Sequence, residues 1–286
     1  MKRIDVITTG WEEYTLLDSG EGRKLEQFGG IILDRPDPQA LWLKHTPQLW
    51  STAQAQFLWA EKGDRWSTAK GLAEEWNIQW HKMKLTLSFK GFKHIGIFPE
   101  HEQQWLELQT IGKKHDGLRM LNLFGYTGAA SIVAAQAGMA VTHIDASSQT
   151  VATVKENALQ SGLSATALRV VTEDALKYAK RLVQRGEQFD VIVMDPPAFG
   201  RGPKGEVWKI EEKILELTAL IPQLLSPQAK LVILNGYAAG FSARTFAELL
   251  HDVLPEGTIS YGDVSLQQQD SERVLTTGIY AKWQNR

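Results

Sequence analysis

The chain has 286 residues, 43% apolar and 22% charged, with a formal net charge of −2, enough for one large and one small unit. The near-zero charge argues against a broadly basic nucleic-acid coat, and the absence of cysteine excludes disulfides, thiolate metal sites and thiol nucleophiles. No apolar run approaches the roughly 18–20 residues of a spanning helix, and Met1-Lys2-Arg3-Ile4-Asp5 lacks an apolar signal region. A cytoplasmic protein with no membrane partner is expected. The seven His are scattered without ligand spacing, so no metal is expected.

Residues 1–90 predict a small antiparallel β domain. Short apolar runs (Tyr14-Thr15-Leu16-Leu17, Gly30-Ile31-Ile32-Leu33, Ala40-Leu41-Trp42-Leu43, Leu85-Thr86-Leu87-Ser88-Phe89) are separated by breakers such as Asp18-Ser19-Gly20-Glu21-Gly22 and Asp34-Arg35-Pro36-Asp37-Pro38. Pro99 to about Gly112 predicts a connecting helix, with Trp105, Leu106, Leu108 and Ile111 as its packing face. Residues 91–286 then form the second predicted domain, in which strands and helices alternate. Strands are expected at 119–125, 140–145, 167–172, 189–194 and 230–235; the helices between and after them at 127–138, 148–161, 175–185, 206–225 and 243–253. Such alternation means βαβ units and an open parallel sheet. Two β-rich runs, 258–267 and 273–283, close the chain with no room for a helix between them and should pair as an antiparallel hairpin.

Four strands end where ligand chemistry is expected, because parallel strands open their C-terminal tips onto the crevice of such sheets. The first runs through Asn122 and Phe124 into Gly125-Tyr126-Thr127-Gly128. Glycine lets that backbone turn tightly and approach a ligand, although such a turn is also often merely structural. The second ends at Asp145-Ala146, 20 residues after Gly125, where a carboxylate can meet ribose hydroxyls. A helix N-cap is the plainer alternative for Asp145, but Ser147 and Ser148 are better placed for it. The third ends at Glu173-Asp174-Ala175, where Asp174 can accept from an adenine amine, cap the next helix, or do both. The fourth ends in Asp195-Pro196-Pro197-Ala198-Phe199. There a carboxylate can orient a target amine, two prolines fix the backbone, and an aromatic ring can stack on a planar base. The missing third glycine of G-x-G-x-x-G, the extra acidic tip and the closing hairpin disfavour a nicotinamide dehydrogenase. Order and spacing point instead to methyl transfer from S-adenosylmethionine.

Residues 119–200 resemble the class I S-adenosylmethionine-dependent methyltransferases, and Asp195-Pro196-Pro197-Ala198-Phe199 is similar to the D-P-P-x-F form of the bacterial large-subunit ribosomal RNA methyltransferase group. The resemblance extends to Phe98-Pro99-Glu100 and to Phe199-Gly200-Arg201-Gly202 and Gly205-Glu206-Val207-Trp208. It implies a Rossmann-like seven-stranded sheet with a C-terminal antiparallel hairpin, and S-adenosylmethionine as cofactor. It also implies a cofactor pocket lined by the Gly125–Gly128 loop, Asp145, Asp174 and Asp195, and an RNA substrate. Two departures matter. Ala198 stands where nucleobase amine methyltransferases place their aromatic, and the absence of cysteine excludes the cysteine-dependent C5 methylation found in part of the group. A nitrogen acceptor in RNA, most plausibly ribosomal, is therefore expected. A small-molecule or protein amine methyltransferase and a non-catalytic RNA-binding module are the alternatives.

Substrate contacts are expected in two places. From Trp76 to Pro99 no residue is acidic, while Lys82 and Lys84 share a predicted strand face and Trp76, Trp80 and Phe92 are interleaved. A solvated face over a tryptophan core is an equal reading of that strip. Arg201 and Lys204, in a Gly/Pro-rich stretch after Pro197, suit a lid that clamps phosphate, or a simple connection.

Overall fold

The computed structural model describes every residue except 60–62, 64, 91–92, 238–239 and 286, so Phe92 lies outside the described residues. The chain folds as two compact units, one of residues 1–6, 104–263 and 278–286, the other of 7–103 and 264–277. Among the described residues no helix is long and apolar enough to cross a membrane.

Two short strands, β1 (Lys2–Arg3) and β2 (Val6–Thr8), precede a five-stranded sheet of β3 (Tyr14–Gly20), β4 (Arg23–Phe28), β5 (Ile31–Pro36), β6 (Ala55–Leu58) and β7 (Arg65–Thr68). Its pairs are antiparallel except β5–β6, which is parallel. A separate hairpin joins β8 (Glu75–Trp80) to β9 (Met83–Ser88). On β9 Met83, Leu85 and Leu87 are buried and Lys84 is exposed, the period-2 alternation that a half-buried strand requires. Glu26 on β4 is fully buried, and its charge is engaged: it accepts from Tyr14 Oη (3.0 Å) and Arg35 Nε (2.8 Å). Residues 40–43 form no strand, contrary to their apolar pattern. Leu41 and Leu43 are 85% and 77% exposed, and the segment is held instead by Trp42 Nε1 donating to the Ser19 carbonyl (2.9 Å).

The other unit is built on helix α1 (Glu102–Lys114) and a nine-stranded sheet. Trp105 and Leu108 of α1 are buried as the helical period requires. Strand β10 (Arg119–Leu123) leads to α2 (Ala129–Gln136), β11 (Ala140–Asp145) to α3 (Ser148–Gln160), and β12 (Leu168–Thr172) to α4 (Ala175–Gln184). After β13 (Val191–Met194) the short strands β14 (Phe199–Arg201) and β15 (Val207–Lys209) precede α5 (Ile210–Thr218) and α6 (Ile221–Leu224). Strand β16 (Leu231–Gly236), α7 (Ala243–Val253), β17 (Thr258–Gln267) and β18 (Val274–Gln284) complete the order. The sheet runs β1-β17-β18-β16-β13-β10-β11-β12, with β2 off this path. Strands β16, β13, β10, β11 and β12 are parallel, and β18 is antiparallel to β16. The seven expected strands are thus present in a Rossmann-like order, with two short N-terminal ones added. Every residue of β13 and β16 is buried, as strands covered on both faces must be.

One predicted helix is corrected. Residues 206–225 are not a single helix: β15 pairs antiparallel with β14 (Phe199↔Lys209, Gly200↔Trp208, Arg201↔Val207) before α5 begins. Gly205, at φ +87°, closes the turn between them, and Pro222 separates α6 from α5 because it cannot continue the preceding ladder.

Candidate active site

The parallel register brings four strand tips into neighbouring rows. Leu123 stands opposite both Ile144 and Met194, and Asp145 opposite Thr172, so the residues that follow lie side by side along one edge. Backbone bonds tie the tips together: Gly125 N–H to the Ile144 carbonyl (2.9 Å), Glu173 N–H to the Asp145 carbonyl (3.1 Å) and Asp195 N–H to the Leu123 carbonyl (3.3 Å). The sheet grows outward from β10 in both directions, to β11 on one side and β13 on the other. That reversal is where open α/β sheets bind ligands.

The glycine turn is strained. Phe124 and Tyr126 both adopt left-handed backbone, at φ 59° and 51°, which costs of order 1–3 kcal/mol each and persists only where the surroundings over-determine it. Gly125 sits where no side chain fits: a Cβ there would lie 2.3 Å from His143 Cε1 and 2.9 Å from Asn122 Nδ2. Beneath the turn a buried chain runs from Asn122 Nδ2 to Ser131 Oγ (2.9 Å) and from Ser131 Oγ to His143 Nδ1 (2.9 Å). Burial holds the His143 imidazole down at about 4, with the Tyr126 backbone opposing slightly. The buried Thr127 offers its carbonyl to Asn157 Nδ2 (3.0 Å). Gly128, at φ 96°, begins α2 without any side-chain cap.

Asp145 closes the rim beside this turn. Its Oδ2 accepts from Tyr126 N–H (3.0 Å) and its Oδ1 from Ser147 N–H (2.9 Å), so the carboxylate both shapes the loop and fixes its own orientation. Burial pushes its pKa up, and the backbone donors of Ser147, Tyr126 and Ala146 pull against that shift. Ser147, not Asp145, caps α3, accepting from Thr150 N–H (3.2 Å). Asp174 does cap α4: Oδ1 accepts from Lys177 N–H (2.8 Å), with Ala175 buried behind it. Glu173 is committed elsewhere, to Arg181 Nη1 at 2.8 Å.

At the fourth tip Pro196 is buried, while Pro197, Ala198 and Phe199 are exposed, Phe199 by 54%. Trp208, which composition and period did not single out, holds this corner. Its Nε1 donates to the Pro197 carbonyl (2.7 Å) and its ring lies 4.7 Å from that of Phe124. Glu206 pins the turn from the other end, accepting from Lys204 N–H (2.9 Å) and Lys177 Nζ (2.9 Å). Arg201 and Lys204 thus belong to a paired hairpin, not an open loop.

Lys82 and Lys84 belong to the other unit. Lys84 lies on β9, but Lys82 occupies the His81–Lys82 turn, so they do not share a strand face. Trp80 is buried with Nε1 donating to Glu102 Oε1 (3.1 Å), and Trp76 Nε1 donates to the Phe28 carbonyl (3.2 Å). These two indoles serve the packing of that unit.

The donor and acceptor set at the rim fits an adenosine-bearing sulfonium. A carboxylate at full ionisation has about four acceptor sites, so Asp145 retains capacity for a ribose diol and Asp174 for an amine beyond their backbone bonds. The strained turn and the uncapped start of α2 allow close approach of a polar group.

Known proteins carry the same architecture. The family described as Conserved hypothetical protein 95 matches residues 107–232. The ribosomal RNA large subunit methyltransferase K/L of Shewanella sp. (strain W3-18-1) is 34% identical over 154 residues, which are 53% of this chain and 21% of that protein. The chain therefore spans about one fifth of the length of the curated relatives it matches. A crystal structure of the SAM Dependent Methyltransferase from Agrobacterium tumefaciens superposes with a TM-score of 0.94 at 34% identity, covering 100% of this chain and 98% of that one. A Streptococcus mutans protein described as a SAM-dependent methyltransferase shares the fold alone, with a TM-score of 0.72 at 18% identity over 95% of this chain and 75% of that one.

Proposed function

The chain belongs to the S-adenosylmethionine-dependent methyltransferases, and on that premise we propose that it moves a methyl group to a nitrogen of RNA, ribosomal RNA above all. The observation that carries the reading is the row of three carboxylates, Asp145, Asp174 and Asp195, on adjoining strand tips around the Gly125–Gly128 turn. S-adenosylmethionine supplies the electrophilic methyl. Asn122, Phe124, Gly125, Tyr126, Thr127 and Gly128 form its loop, Asp145 and Ala146 hold the ribose, and Asp174 and Ala175 hold the adenine.

In-line displacement asks the protein chiefly for alignment and electrostatics. Asp195 accepts a hydrogen bond from the acceptor amine, directs its lone pair, and lies where the departing proton can be received. Pro196 and Pro197 hold that corner rigid, with the Pro197 carbonyl already committed to Trp208. Phe199, Arg201 and Lys204 stand on the substrate side of it. Residues 1–90, with Lys82 and Lys84, act as a substrate-recognition domain. Nitrogen rather than C5 of cytosine follows from the lack of any cysteine. RNA is supported by the named activity of the Shewanella relatives over the segment they share.

Nucleoside mass spectrometry of ribosomal RNA from a strain lacking the gene tests the proposal. One N-methylated nucleoside should disappear and return on complementation. An unchanged RNA profile, with labelled methyl passing instead to protein or a small amine, would overturn the RNA substrate. Asp195→Ala should lower turnover at least about a hundredfold, as for loss of a positioned proton acceptor, while S-adenosylhomocysteine affinity changes little.

A further inference from the structure

We propose that the outer face of the β14–β15 hairpin is a ledge for single-stranded RNA, where Phe199 stacks on the base next to the methyl acceptor and Arg201 and Lys209 take the adjoining phosphates. The inference rests on the RNA reading above and adds to it a subsite and the residue Lys209.

The register defines the face. In an antiparallel pair, opposed residues share a side, so Phe199 and Lys209 stand together, as do Arg201 and Val207, while Gly200 and Trp208 take the other side. Trp208 is buried at 3% exposure, so its side faces the core and the Phe199 side faces solvent. Phe199 on β14 is 54% and Val207 on β15 45% exposed, a large apolar display for a hairpin of two three-residue strands. The Arg201 guanidinium lies 6.0 Å from the Phe199 ring centroid, near enough to steady it.

Charge selects the partner. Between Phe199 and Lys209 the chain carries three cations, Arg201, Lys204 and Lys209, against one carboxylate, Glu206. Glu206 is already engaged by Lys177 and the Lys204 N–H. Lys209 pairs with Glu212 at 2.7 Å, but both side chains are about half exposed, and such pairs contribute little and exchange readily. An open aromatic ring flanked by cations matches the alternating base and phosphate of a single strand. The core of a protein–protein interface is instead depleted in lysine.

The ledge is rigid before binding. Trp208 bonds the Pro197 carbonyl, Ile210 N–H bonds the Ala198 carbonyl (3.0 Å), and Glu206 fixes the turn. Phe199 therefore keeps a set position relative to Asp195, four residues earlier, and a base stacked on it places its neighbour at the catalytic corner. Ala198 supplies the one-residue offset that moves the ring from the acceptor to the adjoining nucleotide.

Fluorescence anisotropy with a short mixed-sequence oligoribonucleotide, in the presence of S-adenosylhomocysteine, tests this. Phe199→Ala should weaken binding about tenfold, and Phe199→Trp should retain it. The Arg201→Gln/Lys209→Gln double variant should reduce the slope of log affinity against log salt by about 1.4, two phosphates at roughly 0.7 each. S-adenosylhomocysteine affinity on the same samples reports whether the cofactor loop is intact. If the wild type binds and methylates RNA while all these variants bind it equally well, the ledge is wrong and the RNA reading survives. If Trp fails to restore what Ala removes, stacking is excluded. If the wild type neither binds RNA nor labels it, the RNA reading fails and the ledge falls with it.

Discussion

Replacing Asp145 with alanine should weaken S-adenosylhomocysteine binding by about 3 kcal/mol, roughly 150-fold. Hydrogen bonds to a charged group contribute about 1.5–3 kcal/mol, and the ribose diol loses its carboxylate partner. The Tyr126 and Ser147 N–H groups lose theirs as well, so the strained turn at Phe124–Tyr126 is less well held before any ligand arrives. Asp145→Asn separates these effects. Its amide has one acceptor oxygen and a donor nitrogen, so it can accept from only one of the two backbone N–H groups, and it meets the ribose without a charge. An intermediate loss of about tenfold is expected. Isothermal titration calorimetry with S-adenosylhomocysteine gives both affinities, and thermal melting shows whether the fold is retained. An alanine variant that melts cooperatively and binds within about threefold of wild type would refute the assignment of Asp145 to the cofactor.

Gly125→Ala should destabilise the protein by about 1–3 kcal/mol and impair cofactor binding, because the new methyl meets the buried His143 ring; a melting curve and a titration check both. His143 makes stability pH-dependent. Its folded pKa of about 4 lies below the ordinary 6.5, so the unfolded chain binds the proton first on acidification. Stability is then complete above about pH 6.5 and falls as the pH drops towards 4, by up to about 3 kcal/mol. Chemical denaturation across that window should show the slope in wild type and its reduction in His143→Gln. Trp208→Phe removes the bond to the Pro197 carbonyl and part of a buried ring packed on Phe124, for about 1–3 kcal/mol of stability, and should lower kcat more than it lowers S-adenosylhomocysteine affinity. Equal kcat would mean that the corner does not need that tether.

The parallel sheet was legible because its central strands β13 and β16 are buried on both faces and read as continuous apolar runs, and because the strand tips at 125, 145, 174 and 195 end in a glycine or a carboxylate. The strand 140–145 and the helix 243–253 match β11 and α7 residue for residue. What escaped was set by tertiary contacts. Strands β14 and β15 have three residues each, too few to show a period, and Val207-Trp208 merges with the apolar pattern of α5 behind it. Trp208 then gains its role from a carbonyl eleven residues away, a partner no local pattern announces. The run 40–43 is apolar like a buried strand, yet its Ala40 and Trp42 carbonyls accept from Gly22 and Glu21 N–H in the β3–β4 turn, and Leu41 and Leu43 remain in solvent. Lys82 misled for a related reason. His81, at φ 49°, and Lys82 form the two-residue β8–β9 turn, so β9 begins only at Met83. At the rim, capping by Asp174 was one of the alternatives its position after β12 offered, and Ser147 rather than Asp145 as the cap of α3 was expected from their order. The Asn122–Ser131–His143 chain was not expected, since its members come from three separate elements.

A crystal structure with S-adenosylhomocysteine tests the central claim most directly. The account predicts the ribose hydroxyls on Asp145, the adenine amine at Asp174, and the sulfur facing Asp195 across the Gly125–Gly128 turn. Density for the ligand anywhere other than this row of strand tips would contradict it.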